Sequence, residues 1–416
     1  MDRATQYPHH LAKLAAARLR ADYGRSPPET VLCRLLETLY FASLKTAEGR
    51  PTLCTVDYVD PNGEDAEPPA RGPADRWTYA RFDPPLPFDV RTLTELGRAA
   101  DPTVASLAAF CDSKNRLFIW AMVDQEPRWG EEISLEPDAV RRPGLFSATI
   151  TGAGNLSVYC GSALVGSLVQ NALVQEHHNV LGSGPVHAML KDHLEGSLAE
   201  RFPRCEPSCD GAWQRDLLVY WIRSICRVLV EAERYRQGGG LLIVPEEPAQ
   251  DVNVHYVLRY DRLLKALVDL VQSHLVRRHL GGDEAAGLQE ELNSRKSEVL
   301  GAIRFIASLS CADGVVLLDK GLAVRGFGAE LRATNPINDV FLAGDAPATA
   351  ARLRRVDLTR FGARQRAMIR YCDAHPGSLG LAISREGGVH AMTRIGQRLV
   401  FWENIEHRTA TAGRAP

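Results

Sequence analysis

The stretch Ala312-Asp313-Gly314-Val315-Val316-Leu317-Leu318-Asp319-Lys320-Gly321-Leu322-Ala323-Val324-Arg325 decides the fold of the C-terminal half. Four apolar residues, 315–318, stand between the turn signals Asp313-Gly314 and Asp319-Lys320-Gly321. A run so short, aliphatic and flanked by turn residues reads as a buried strand, and the Asp-Lys-Gly turn sends the chain back as a second strand over 322–325. Upstream, the spacing predicts a long apolar helix over about 213–236, ended by Gly238-Gly239-Gly240, because glycine accepts the left-handed backbone past a helix end. A buried strand at 241–244 follows. Two helices come next, about 260–278 and on to 309, broken at Gly281-Gly282. Downstream, a helix near 364–374 stops before Pro376-Gly377, and strands are expected at 379–384, 389–393 and 398–402. Helices and strands interleaved in this way predict an α/β fold, with a mixed central sheet flanked by helices.

The first 200 residues read as a second α/β domain. Two helices are expected over 8–46, with Leu35, Leu36, Leu39 and the run Phe41 to Leu44 on one face. Strands follow at 52–57, 116–122, 145–151 and 156–160, with a Pro/Gly/acid-rich loop at 58–76 and a Pro-interrupted connection at 84–90. The linker is expected at 203–211. The domains are therefore 1–205, 212–407 and a flexible tail at 408–416.

Composition bounds the function. Hydrophobic residues make up 45% and charged residues 24%, ordinary values for a globular protein with a real core. Lys and Arg total 49 against 51 Asp and Glu, a net charge of −2 that argues against bulk nucleic-acid binding. Nine cysteines without a disulfide-like spacing, no uninterrupted apolar leader and no run long enough to span a membrane predict a cytoplasmic protein with no membrane partner.

Three clusters could carry chemistry. Seven arginines fall between 352 and 370 (352, 354, 355, 360, 364, 366, 370), with Asp357 the only acid. Arg364 and Arg366 sit at a helix start just after Gly362, where free backbone N–H groups and the positive dipole end favour anions and guanidinium forks match phosphate oxygens. The alternative is a solvated basic face. Asp313 before an apolar strand can bind a divalent cation or take a hydroxyl proton, and Gly314 lets a ligand approach the backbone; Asp-Gly is also ordinary turn chemistry. Ser384-Arg385-Glu386-Gly387-Gly388 between two strands is either a hairpin turn or a third part of one site. Weaker candidates are the histidines 177, 178, 187 and 193, whose spacing fits no standard metal site, and the lone pair Cys205 and Cys209. Gly152-Ala153-Gly154 lacks the third glycine of a dinucleotide fingerprint.

Taken in order, Gly240-Leu241-Leu242-Ile243-Val244, Ala312-Asp313-Gly314-Val315, Phe361-Gly362-Ala363-Arg364-Gln365-Arg366 and Ile383-Ser384-Arg385-Glu386 resemble the diadenylate-cyclase domain, the family typified by the nucleotide-binding domain of the DNA-integrity scanning protein DisA. The resemblance covers about 212–407. It implies a nucleotidyltransferase that condenses two ATP into cyclic di-AMP with release of pyrophosphate, Mg²⁺ or Mn²⁺ as cofactor, and a homodimer or higher oligomer with facing sites. It implies Asp313 as the catalytic and metal-binding carboxylate, and Glu386 as a second metal-binding group. The nucleotide would be held by Gly314, Val315, Gly362, Ala363, Arg364, Gln365, Arg366, Ser384 and Glu386. The N-terminal 200 residues resemble the sensor region attached to some of these cyclase domains. Three positions depart from the family's Asp-Gly-Ala and Gly-Thr-Arg-His-Arg motifs: Val315 stands for alanine, Ala363 for threonine and Gln365 for histidine. These departures leave open a second reading, a weak or inactive sensor of ATP or a cyclic dinucleotide that uses the same pocket.

Overall fold

The computed structural model describes residues 5–47, 49–63, 78–100, 105–124, 144–160, 163–169, 171–174, 178–202, 212–235, 238–245, 251–279, 283–333, 337, 339–384 and 388–407. The chain divides into two compact units, Met1–His177 and His178–Pro416. The division therefore falls ahead of the expected boundary near 205. The expected linker at 203–211 and the tail at 408–416 lie outside the described residues.

Unit 1 opens with helices α1 (Pro8–Tyr23) and α2 (Glu29–Ser43). Leu11, Ala12, Ala15, Ala16 and Leu19 of α1 are fully buried, as are Val31, Leu32, Leu35, Leu36 and Leu39 of α2. Both sets repeat at i, i+1, i+4, i+5, i+8, a wide stripe on one helix face. Each buried leucine contributes about 2 kcal/mol of transfer free energy, so Leu35→Asp would strip the stripe at its centre. Gly24 ends α1 in the left-handed region at φ 67°, its N–H donating to Arg20 O. After the small ladder β1 (Thr46–Ala47) and β2 (Arg50–Pro51) come β3 (Thr55–Tyr58), β4 (Thr78–Pro87), helix α3 (Val90–Leu96), β5 (Ala105–Cys111), β6 (Leu117–Asp124), β7 (Phe146–Gly152), β8 (Asn155–Cys160), β9 (Ala163–Val169) and β10 (Ala172–Val174). They form an eight-stranded sheet in the order β10-β9-β8-β7-β3-β5-β6-β4, antiparallel except for β3 beside β5. The helical stripes pack with Val56, Leu107, Ile119, Phe146, Ala148 and Leu156 of this sheet.

One element of unit 1 corrects the sequence reading. The Pro-interrupted stretch 84–90 is largely strand β4, which pairs with β6 up to Pro87 with a register shift between Arg81 and Leu86. Proline lacks the N–H that a central strand needs, but β4 is the last strand of its sheet and owes hydrogen bonds on one side only.

Unit 2 contains α4 (Gly184–Arg201), α5 (Ala212–Arg234), β11 (Gly239–Val244), β12 (Val252–Tyr256), α6 (Arg262–His279), α7 (Asp283–Ser308), β13 (Val315–Asp319), β14 (Val324–Leu331), β15 (Val340–Ala343), β16 (Leu353–Val356), α8 (Ala363–Ala374), β17 (Leu379–Ile383), β18 (Val389–Ile395) and β19 (Arg398–Trp402). Nine strands order as β12-β14-β13-β11-β17-β18-β19-β15-β16, with β11/β13 and β15/β19 parallel. The mixed α/β architecture matches the reading from sequence. β11, β13 and β17 are buried at every residue, as central strands covered on both faces must be. The hairpin at 319–321 is closed by Asp319, whose Oδ1 accepts the Gly321 and Ala323 N–H groups at 2.8 and 3.0 Å. Helix α4 had no counterpart in the sequence reading. It belongs to unit 2 through Arg201, which pairs with Asp319, and through Val186, Leu190 and Leu194, which are buried. The two arginines that interrupt the apolar run of α5 have different fates: Arg223 stays half-buried, while Arg227 is buried and pairs with Glu231 one turn on at 2.9 Å, each side chain 8% exposed.

Candidate functional site

Helix α8 lies on the sheet because two strands lack side chains beneath it. A Cβ at Gly240 would come within 3.1 Å of Met368 Sδ and 2.9 Å of Val315 Cγ1, and one at Gly380 within 3.2 Å of Met368 Cε. These glycines let Met368, Ile369 and Cys372 seat against β11 and β17 together with Leu242, Leu317 and Ala382. The seating brings the start of α8 to the strand end where Asp313 stands.

Arg364, on the first turn of α8, donates through an Nη to Asp313 Oδ1 at 2.7 Å. The same oxygen accepts the Gly314 N–H at 3.1 Å. The Asp313 side chain is 97% exposed and that of Arg364 30%. Gly314 has φ +111°, and a Cβ there would lie 2.7 Å from the carbonyl carbon of Gly328. Only glycine fits a left-handed backbone pressed against another strand. The next side chain, Val315, is buried among the core residues under α8, so the bulk added there fills the core and its backbone alone is left to line a ligand.

The rest of the arginine-rich segment is largely committed. Arg366 donates to Phe361 O at 2.7 Å, Arg360 pairs with Glu403 at 2.7 Å, Arg355 pairs with Asp339 and Arg352 reaches Gly344 O at 3.4 Å. Gln365 accepts the Gly362 N–H on its own Oε1 at 3.3 Å, capping the helix that it opens. Gly362 has open space where a Cβ would be, and Ala363 is exposed beside it.

Ser384 follows β17 immediately, its N–H donating to Gly388 O at 3.0 Å. Leu241 pairs with Val316 and Gly239 with Ile383. Counting back two residues along the parallel pair sets Gly314 level with Gly239, hence level with Ile383 on the other side of β11. Two strand spacings of ~4.8 Å separate them, about 10 Å. Asp313, Gly314, Arg364 and Ser384 thus share one end of the sheet. Glu386 lies outside the described residues.

Sequence reasoning missed an aromatic pair at the same end. Tyr256 and Phe327 stack with ring centroids 4.8 Å apart at 21°, and Tyr256 is 55% exposed. Gly328 lies beside them, at φ +64°; a Cβ there would meet Tyr256 Cδ2 at 3.2 Å and the backbone carbonyl oxygen of Asp313 at 3.4 Å. The signal available was Gly326-Phe327-Gly328, two glycines around an aromatic inside a strand, a pattern that marks close backbone approach.

The other candidates resolve differently. His187 Nδ1 lies 3.0 Å from Leu181 O and His193 is buried, its pKa lowered mainly by desolvation. Among the described residues no three His, Cys, Asp or Glu side chains cluster as a metal site. His177, Cys205 and Cys209 lie outside the described residues. Gly152 and Gly154 flank the tight turn between β7 and β8. No helix of the described residues is long and apolar enough to cross a membrane.

Compared with known proteins, residues 21–124 match the family described as "Probable sensor domain DACNV". The matched residues lie in unit 1 and run from the end of α1 through β6, so this part of the chain is similar to a sensor-type domain. The match does not reach unit 2. No curated protein matches the chain.

Proposed function

We propose that unit 2 is a nucleotide-binding domain of the diadenylate-cyclase type, controlled by the sensor-type domain of unit 1. The observation that carries the reading is the 2.7 Å contact between Asp313 and Arg364 at the end of the sheet, beside the forced glycine backbone at 314 and the stacked Tyr256 and Phe327. A carboxylate, a guanidinium at a helix start and an exposed aromatic face are the three kinds of group a nucleoside triphosphate needs: one for its hydroxyl, one for its phosphates and one for its base.

Arg364 holds phosphate oxygens, aided by the N–H groups opening α8. Arg366, anchored on Phe361 O, stiffens that turn and adds positive charge. Asp313 takes the proton of a ribose 3′-hydroxyl as its oxygen bonds to the α-phosphorus of a second ATP. The bond from that phosphorus to the bridging oxygen breaks, and pyrophosphate leaves with the electron pair. Two such transfers close the ring, which requires two facing sites and hence at least a homodimer. One exposed carboxylate suits a cation that arrives on the triphosphate better than a resident ion, since Mg²⁺ sites of this kind combine one or two carboxylates with substrate phosphates. Mg²⁺ or Mn²⁺ so delivered would neutralise charge on the phosphate oxygens.

A specific observation supports the second reading, a sensor without turnover. Gln365 caps its own helix, and neither it nor Ala363 offers the charge or hydroxyl of the family motif. Both readings need ATP or a cyclic dinucleotide at Arg364 and Arg366. Replacing both arginines by alanine should weaken ATP binding about 10- to 150-fold in calorimetry, given about 1.5–3 kcal/mol for the charged hydrogen bond that Arg364 makes. Unchanged affinity in the double variant would remove the site.

A further inference from the structure

Behind Ser384 lies a buried acid–imidazole pair that no role above uses. Glu233, in the last turn of α5, and His407, after β19, have side chains 8% and 6% exposed, and Glu233 Oε2 lies 3.0 Å from His407 Nε2. The other ring nitrogen, Nδ1, lies 3.1 Å from Ile405 O, and a carbonyl oxygen can only accept, so Nδ1 carries a proton. The other carboxylate oxygen of Glu233 accepts the N–H of Gly388 at 3.1 Å.

Gly388 is therefore held on three sides. Its N–H goes to Glu233, its carbonyl accepts Ser384 N–H at 3.0 Å, and at φ +93° a Cβ would strike Asn404 Oδ1 at 2.5 Å. Asn404 is itself fixed, its N–H donating to His390 Nδ1 at 3.2 Å, and the next residue, Ile405, donates to Val389 O at 2.8 Å. Taking an acid and an imidazole out of water is costly, and such pairs are weak sources of stability compared with apolar packing. What this one gains is geometry: three separate segments meet on one amide.

We infer that Glu233 and His407 are positioning residues that latch Gly388 and so keep Ser384 at the sheet end that carries Asp313 and Arg364. The inference rests on the nucleotide reading for its purpose. It touches no substrate atom itself. Its structural part, that the pair holds the Gly388 amide, whose carbonyl in turn accepts the Ser384 N–H, stands apart from that reading.

The test uses the full chain. Removing one partner alone would strand the other in the interior, so the informative variant replaces both by apolar residues of similar size, Glu233→Met with His407→Phe. Glu233→Gln is the conservative control, because its amide can still accept from Gly388 and donate to a neutral His407 Nε2. Amide hydrogen exchange at 384 and 388 and calorimetric titration with Mg·ATP are read together. In the double variant, exchange at 384 and 388 should speed up about tenfold, the effect of one lost hydrogen bond, with the centres of β17 and β18 unchanged. ATP affinity should fall by a similar factor, and Glu233→Gln should stay near wild type on both counts. Unchanged exchange, or faster exchange across the whole sheet, would overturn the latch. Faster exchange at 384 and 388 with undiminished ATP affinity would overturn its positioning role. Faster exchange there in a protein whose wild type binds no ATP would confirm the latch and sink the nucleotide reading instead.

Discussion

In unit 1 a set of polar side chains is held inside the sheet. Asp57, Ser106 and Ser147 are fully buried on the neighbouring strands β3, β5 and β7, with Ser106 donating to Asp57. The hydroxyls of Thr55 and Thr149 meet at 3.0 Å, and those of Ser157 and Ser167 at 2.7 Å. In unit 2 the strands β11, β13 and β17 are apolar except for Asp319 at the last position of β13, and a polar pair stands at their other end, with Asp313 97% exposed and paired to Arg364. Burial makes a hydrogen bond expensive to open, because each freed group loses about 1–3 kcal/mol. An exposed ion pair is worth only about 0–1 kcal/mol, so a ligand can open it. The comparison separates a sheet built to hold one arrangement from a sheet end built to exchange partners.

The largest expected effect comes from the backbone on which that sheet end depends. Gly314→Ala puts a side chain into a left-handed conformation and 2.7 Å from Gly328. It should lower the stability of unit 2 by about 3 kcal/mol or more, seen as an earlier unfolding transition in calorimetry while unit 1 unfolds as before. An unaffected transition would mean that the strand end yields freely, and the contrast between the units would lose its basis.

A smaller effect is expected at the aromatic pair. Stacking a base on an aromatic face is worth about 1–3 kcal/mol. Tyr256→Ala should therefore weaken ATP binding about tenfold or more, with little change in stability because the ring is more than half exposed. Equal affinity for ATP and for inorganic triphosphate in the wild type would show that the base is not read there.

The smallest effect is a pH dependence. His193 is buried and His390 partly buried, and desolvation lowers both pKa values from 6.5. The unfolded chain then binds more protons than the folded one as pH falls below about 6.5, so this share of stability is present above 6.5 and lost below it. Unit 2 should unfold more easily at pH 5.5 than at pH 7.5. The carboxylates with lowered pKa values, Asp112, Asp345 and Asp357, start from 3.8 and act only in more acid solution. A midpoint that does not move between those two pH values would count against both histidines as groups kept neutral by the fold.

Much of the fold was legible because the central strands advertise themselves. β13, β17 and β19 fall within one residue of the expected bounds, since short apolar runs between Gly, Pro and Asp have few other readings. The edges were illegible for the opposite reason. β12 and β16 are short and partly exposed, and each carries two polar residues among its few positions, which a loop also does. Helix α4 escaped because His193 and Ser197 stand at buried positions, diluting its apolar stripe. Of the site, each motif could be seen on its own element, but the contact across 51 residues between Asp313 and Arg364 needs the two glycines under α8, whose role only packing reveals. Tyr256 was beyond reach, because it sits on an edge strand that was not expected at all.

The central claim is that this sheet end works on ATP, and one comparison tests it most directly. Wild type and Asp313→Asn are each incubated with ATP and Mn²⁺, and the products are separated by mass. The account predicts a cyclic dinucleotide from wild type. It predicts ATP binding within about tenfold in the variant but turnover lower by roughly 10²-fold or more, the usual scale for a lost acid/base group. Wild type and variant turning over equally would contradict it, reducing Asp313 to a turn residue. A wild type that binds ATP without product under any divalent cation would leave the sensor reading in its place.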